Sequence, residues 1–91
     1  MAAVTVTAGS RRDMIAGNMR WVTETLTSVD NTDTWTPGLA IIEMVTAINE
    51  DASAPTAVIG ATWTTPAGRQ AVVTFGVEAG SLDVRATAMG Y

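Results

Sequence analysis

The chain contains no cysteine, no histidine and no lysine. Without cysteine there can be neither a disulfide framework nor a thiolate metal site, which removes the usual staple of small secreted domains. Without histidine the commonest general base and metal ligand is missing, and Ser-His-Asp, Cys-His and lysine-nucleophile arrangements cannot form. Long apolar runs are missing as well. The stretch around Ile41 is broken by Glu43 and Thr46, far short of the roughly 20 residues a membrane span needs. MAAVTVTAG lacks a cationic start and a long apolar core, so no secretory leader is expected. These absences predict a soluble protein with no cofactor, no metal and no membrane partner.

What remains is one domain of 91 residues, read as a single β domain over 1–91. A chain of this size buries only about 60–65% of its unfolded surface. With five aromatic residues and no covalent staple, oligomerisation or docking on a larger body is a reasonable way to complete the core. The net charge of −4 argues against nucleic acid, which attracts basic surfaces. Of the five cations, all arginine, Arg11, Arg12 and Arg20 fall in the first twenty residues with only Asp13 opposing them. Residues 1–20 therefore read as an arm that could pair with an acidic neighbour; scattered surface charge on a strand pair fits equally well.

Fifteen threonines and ten valines favour strands, because β-branched side chains suit a pleated surface. Turn residues at Gly9-Ser10, Gly17-Asn18, Asp30-Asn31, Pro37-Gly38, Ala54-Pro55, Pro66-Ala67-Gly68 and Gly80-Ser81 cut the chain into strand-length pieces. The C-terminal half predicts a three-stranded meander: Thr56–Thr64, Arg69–Val77 and Leu82–Met89, joined by turns at Pro66–Gly68 and Glu78–Ser81. In the last strand Leu82, Val84, Ala86 and Ala88 alternate with polar residues, but Met89 falls on the polar side, as at a bulge. Near the N-terminus, Ala3–Ala8 predicts a short strand with Val4 and Val6 inward. Asp13–Val29 is too long for one flat strand, so Gly17-Asn18 reads as a bulge or bend before Met19–Val29. In TPGLAIIEMVTAINED, Ile41, Met44, Val45 and Ile48 fit helical spacing, whereas Ile42, Met44 and Ile48 suit one face of a strand. Its β-branched content favours the strand. The expected architecture is a small all-β sandwich or barrel.

Chemistry is sparse. The nine acids (Asp13, Glu24, Asp30, Asp33, Glu43, Glu50, Asp51, Glu78 and Asp83) mostly sit at turns, and no carboxylate pair suggests a catalytic cleft. The sequence predicts no enzyme and no catalytic residues. Asp30-Asn31-Thr32-Asp33 is the best metal candidate, but Trp35 and Ile41 stand where a calcium loop needs Gly and Glu, so a turn is the better reading. Trp21, Trp35 and Trp63 suit a pocket, an interface or a core. Trp63 reads as core, whereas Trp35, after a polar loop and before Pro37, suits an interface, a lid or the core. Tyr91 as an aromatic last residue suggests a terminus pinned in the sheet or against a partner.

Four segments, VTVTAGSRRD, GNMRWVTETLT, TWTPGLAIIEMV and VRATAMGY, together resemble a class of short virion proteins of tailed bacteriophages, encoded beside the major capsid protein. The matching features are a threonine-rich first strand, a Gly-Asn-hydrophobic-Arg start to a Thr/Val-rich strand, a turn with Gly-Leu, and an ending of aliphatics, Arg and Gly-Tyr. The resemblance implies an all-β capsid decoration (cement) protein, bound as a dimer or trimer to the major capsid protein on the virion surface and made in the host cytoplasm. On that reading Arg11, Arg12 and Arg20 would pair with an acidic shell, with Trp35 and Tyr91 as further contacts. Other readings are a head–tail connector or tail component, a carbohydrate-binding module stacking sugars on Trp35 and Trp63, and a small enzyme acting through Asp30 or Asp33.

Overall fold

The computed structural model describes all residues except Met1, Ala2, Ala67 and Ala79. Eight strands run in the order β1 (Thr5–Val6), β2 (Arg12–Ala16), β3 (Met19–Val29), β4 (Thr34–Trp35), β5 (Ile42–Asn49), β6 (Ile59–Thr64), β7 (Val72–Val77) and β8 (Leu82–Gly90), and no described residue is helical. They form two antiparallel sheets. The larger has the order β1-β3-β8-β5, with β2 also paired to β3, and the smaller has the order β4-β7-β6. The all-β expectation holds, and the contested segment 38–50 contains strand rather than helix.

The long β3 is the spine. Its Val22, Glu24 and Leu26 are buried while Trp21, Thr23 and Thr25 are only half-buried, the period of two that puts one face on a core. β1 and β2 lie end to end along one edge of β3, and β8 lies along the other. Gly17-Asn18 is thus a tight reversal and not the bend the sequence suggested. Ala16 faces Met19 across a two-residue loop, and Gly17 at φ 64° takes the positive dihedral that such a loop needs. The N-terminal strand is shorter than expected. Val4 packs against the core and its N–H donates to Thr34 O (2.9 Å), while Val6 is partly exposed at the edge.

The predicted C-terminal meander is half right. β6 and β7 form a hairpin from Ile59↔Val77 to Thr64↔Val72, with Gly68 at φ 71° in the connection; Ala67 and Ala79, the middle residues of the two expected turns, lie outside the described residues. β8 does not continue that sheet. It crosses to the larger one and inserts between β3 and β5. The physical reason is that β7 and β8 bury alternate residues against the same core from opposite sides, and alternation alone does not reveal the side.

That core joins Val22, Leu26, Val84, Ala86 and Ala88 of the larger sheet to Trp35, Val73, Phe75 and Val77 of the smaller one, with Leu39, Ala71 and Leu82. Small residues at Ala71, Ala86 and Ala88 leave depth for Trp35 and Phe75, whose rings stack at 6.3 Å and 25°. Two register shifts change which residues face inward. One between Leu26 and Val29 leaves Ser28 at φ 53°, with its N–H donating to Asp83 Oδ1 (3.1 Å). Another between Ile42 and Met44 accommodates Glu43, so Ile42, Val45 and Ala47 are at least partly buried while Met44 and Ile48 point out. Ile42, Met44 and Ile48 therefore do not share a face.

The C-terminus is tied down through its backbone. Tyr91 N–H donates to Ile41 O (3.0 Å), and Ala40 N–H donates to Tyr91 O (2.9 Å). Gly90 lies beneath this crossing, where a Cβ would overlap the Ile41 carbonyl. Gly90→Ala should therefore cost about 1–3 kcal/mol from overpacking, read as a lower urea midpoint. An unchanged midpoint would mean that the Ile41 crossing has room to yield.

Candidate docking face

Glu24 is a carboxylate on the core face of β3, between Val22 and Leu26, and is 7% exposed. A buried carboxylate needs charged or hydrogen-bonding partners. Glu24 Oε1 accepts from Trp35 Nε1–H (2.9 Å) and from Arg11 Nη1 (3.3 Å). Arg11 also pairs with Asp13 Oδ2 (3.2 Å) and donates through Nη2 to Pro37 O (2.9 Å). Two residues expected to face a partner are thus brought together by an internal acid. Trp35 is 2% exposed and belongs to the core. Arg11 is held by groups of its own chain, so charge reversal there would disturb the fold as well as any attachment.

The remaining predicted contact residues lie apart. Arg12 is exposed and donates through Nη1 to Gly9 O (2.8 Å) and Arg11 O (2.9 Å). Arg20, at the start of β3, has no ion-pair partner among the described residues. The Tyr91 residue is 42% exposed although its backbone is pinned. Trp63, expected in the core, lies on edge strand β6 and is 37% exposed. With Trp35 buried, the pair of stacking platforms required by a carbohydrate module is not formed.

The outer face of the larger sheet carries what sequence reasoning missed. Registers place Met14 opposite Trp21, Trp21 opposite Met89 and Met89 opposite Met44. These four residues make one row across β2, β3, β8 and β5, about 14 Å long at the usual strand spacing. Met14 is 59% and Met44 45% exposed, while Trp21 and Met89 are half-buried. The signal was Met89 on the polar side of its strand. β8 itself stays in register with β3 from Arg20↔Gly90 to Leu26↔Val84, and the irregularity at this point lies in the facing strand, where Glu43 is the extra residue between Ile42↔Gly90 and Met44↔Met89. Beside the row lie Arg12, Thr23, Thr87 and Thr46, with Thr23 and Thr87 hydroxyls 3.1 Å apart. A shallow polar depression bounded by Ser10, Arg12, Thr23, Thr25 and Arg85 adjoins them.

The Asp30–Asp33 loop is a turn, its polar groups engaged internally. Asp33 Oδ2 accepts from Asp30 N–H (2.9 Å), Asn31 Oδ1 from Val77 N–H (3.1 Å), and Asp30 Oδ1 from Ser81 Oγ–H. Among the described residues, no group of three or more acids stands where it could hold a metal ion, and no helix is long and apolar enough to cross a membrane. Asp51 Oδ1 accepts from Ser53 Oγ–H (2.6 Å) and N–H (3.0 Å), and its Oδ2 accepts from Asp83 N–H (3.3 Å). These bonds, the Ser53 hydroxyl foremost, hold its carboxyl below the ordinary value of 3.8. The chain matches no known family model and no curated protein sequence.

Two outcomes follow. Arg11→Ala leaves Glu24 buried with the indole N–H as its remaining partner and should cost about 2 kcal/mol, whereas Arg12→Ala should stay within about 0.5 kcal/mol; paired urea titrations compare them. The depressed Asp51 pKa contributes stability that is present above the unfolded value near pH 4 and lost as pH falls through the folded value. Ser53→Ala should raise that folded pKa toward the ordinary one, as read from the Asp51 carboxyl carbon shift against pH.

Proposed function

We propose that the chain is a non-catalytic structural protein of a tailed-phage virion that docks through the outer face of its larger sheet onto the capsid exterior and braces contacts between shell subunits. The observation that carries this reading is the Met14–Trp21–Met89–Met44 row, an apolar strip on a face that no strand among the described residues covers. Methionine suits such a surface because its flexible thioether adapts to a partner's contours, and tryptophan supplies a broad anchor. The threonines and Arg12 beside it provide a polar rim. The likeness of the four quoted segments to decoration proteins supports the shell as the partner.

The number of copies per purified particle tests it. Hundreds, near parity with the shell subunit, are expected of a cement protein. About a dozen would move the chain to a connector or tail ring, and none would overturn the virion reading. Met44→Asp, on the far side of the sheet from β2, should lower particle occupancy at least tenfold while changing stability by less than about 0.5 kcal/mol. Full occupancy of that variant would rule out the outer face as the contact.

A further inference from the structure

The β2–β3 hairpin leaves one edge of the larger sheet open. β2 pairs with β3 on one side, and no strand among the described residues pairs with the other. Because the hairpin closes at Ala16↔Met19, Ala16, Met14 and Arg12 direct their backbone groups toward β3. Asp13 and Ile15 then direct N–H and C=O outward. Every residue of β2 is exposed, Ile15 at 73%. The usual protections of an edge are thin here: Met14-Ile15-Ala16 holds no charge and no proline.

We propose that this edge pairs with its counterpart on a second copy of the chain, antiparallel about a two-fold axis at Met14, joining the two larger sheets into one. Three constraints select that register. First, a two-fold axis normal to a continuous sheet must bring residues of like facing opposite each other. Second, the outward backbone groups of Asp13 and Ile15 must meet those of the partner. Centring on Met14 sets Asp13 against the second copy's Ile15, and Ile15 against its Asp13, closing four hydrogen bonds. The third constraint is charge. An axis at Arg12 would oppose two arginines, and one at Asp13 two aspartates, which is unfavourable. With the axis at Met14, Arg20, which lies beside Ile15 in β3, points across Ile15 toward Asp13 of the second copy. Among the described residues Arg20 has no ion-pair partner, and the contact is made twice by symmetry.

The same register sets Met14 beside Met14 of the second copy, so the two outer rows become one apolar band of eight residues. The pairing is confined to Arg12–Ala16, bounded by the Gly17-Asn18 reversal at one end and by the Thr7–Arg11 excursion at the other. It does not depend on what the outer face docks against.

Sedimentation equilibrium of the purified chain, with no particle present, should show a concentration-dependent monomer–dimer equilibrium. Ile15→Pro removes an outward N–H without touching the β3 ladder and should weaken the dimer at least tenfold. Arg20→Asp should weaken it as well; Asp13 is left unchanged because its carboxylate also pairs with Arg11. The cysteine-free background allows a direct check of register. Met14→Cys should cross-link under mild oxidation, since directly opposed residues of a non-hydrogen-bonded pair lie within disulfide reach, while Thr62→Cys on the smaller sheet should not. A chain that stays monomeric to millimolar concentration, a dimer indifferent to Ile15→Pro, or equal cross-linking at both cysteines would each overturn the proposal. None of these bears on particle occupancy of Met44→Asp, so the dimer and the docking face fail separately.

Discussion

The rest of the structure depends on the need to satisfy one carboxylate. Glu24 occupies a core position on the central spine strand, where an unpartnered charge would cost several kcal/mol. Its two partners come from separate parts of the chain, Arg11 from just before β2 and Trp35 from β4. β4 has only two residues and would be weakly held by its pairing with β7. The indole N–H bond to Glu24 anchors it to the opposite sheet, and the ring stacks on Phe75 beneath. Arg11 completes the group from outside and carries Asp13 and the Pro37 carbonyl with it. One acid thus ties the two sheets and the N-terminal edge strands together in a chain without a disulfide.

With its inner face occupied in this way, β3 has only its outer face and its ends to offer a partner. That face is flat, largely threonine, and crossed at one end by methionine and tryptophan. Threonine pairs across strands hold such a face without closing it to contact, as between Thr23 and Thr87. The apolar row exists because three strand pairings bring Met14, Trp21, Met89 and Met44 into line. A shift of one residue in any of them would send one of the four to the other face.

Much of the fold was legible in the residues. The threonine and valine content indicated strands, and the alternation in Leu82–Ala88 marked the core-facing residues of the last one. Other parts were legible only with error. The extra residue at Glu43 reverses the facing of β5, so Ile42 and Met44 separate. Gly17-Asn18 offers the same residue types to a bend and to a hairpin, and pairing with β3 decides between them. Met89 showed in the sequence as a fault in a pattern; it is a half-buried residue of the outer face, in register with β3 and beside the extra residue of β5. Among the candidate contact residues, Trp35 could not be placed, because the acid that receives its indole lies eleven positions earlier in another sheet.

The sequence by itself determined the class of the domain, the buried face of its last strand and the absence of histidine-, cysteine- and lysine-based chemistry, since composition and period-two alternation are local properties. Only the tertiary structure decided which sheet receives β8, that Arg11 and Trp35 converge on Glu24, and that four scattered apolar residues form one exposed row. These depend on strand order and register, which are set by partners far away in the chain and leave no local trace.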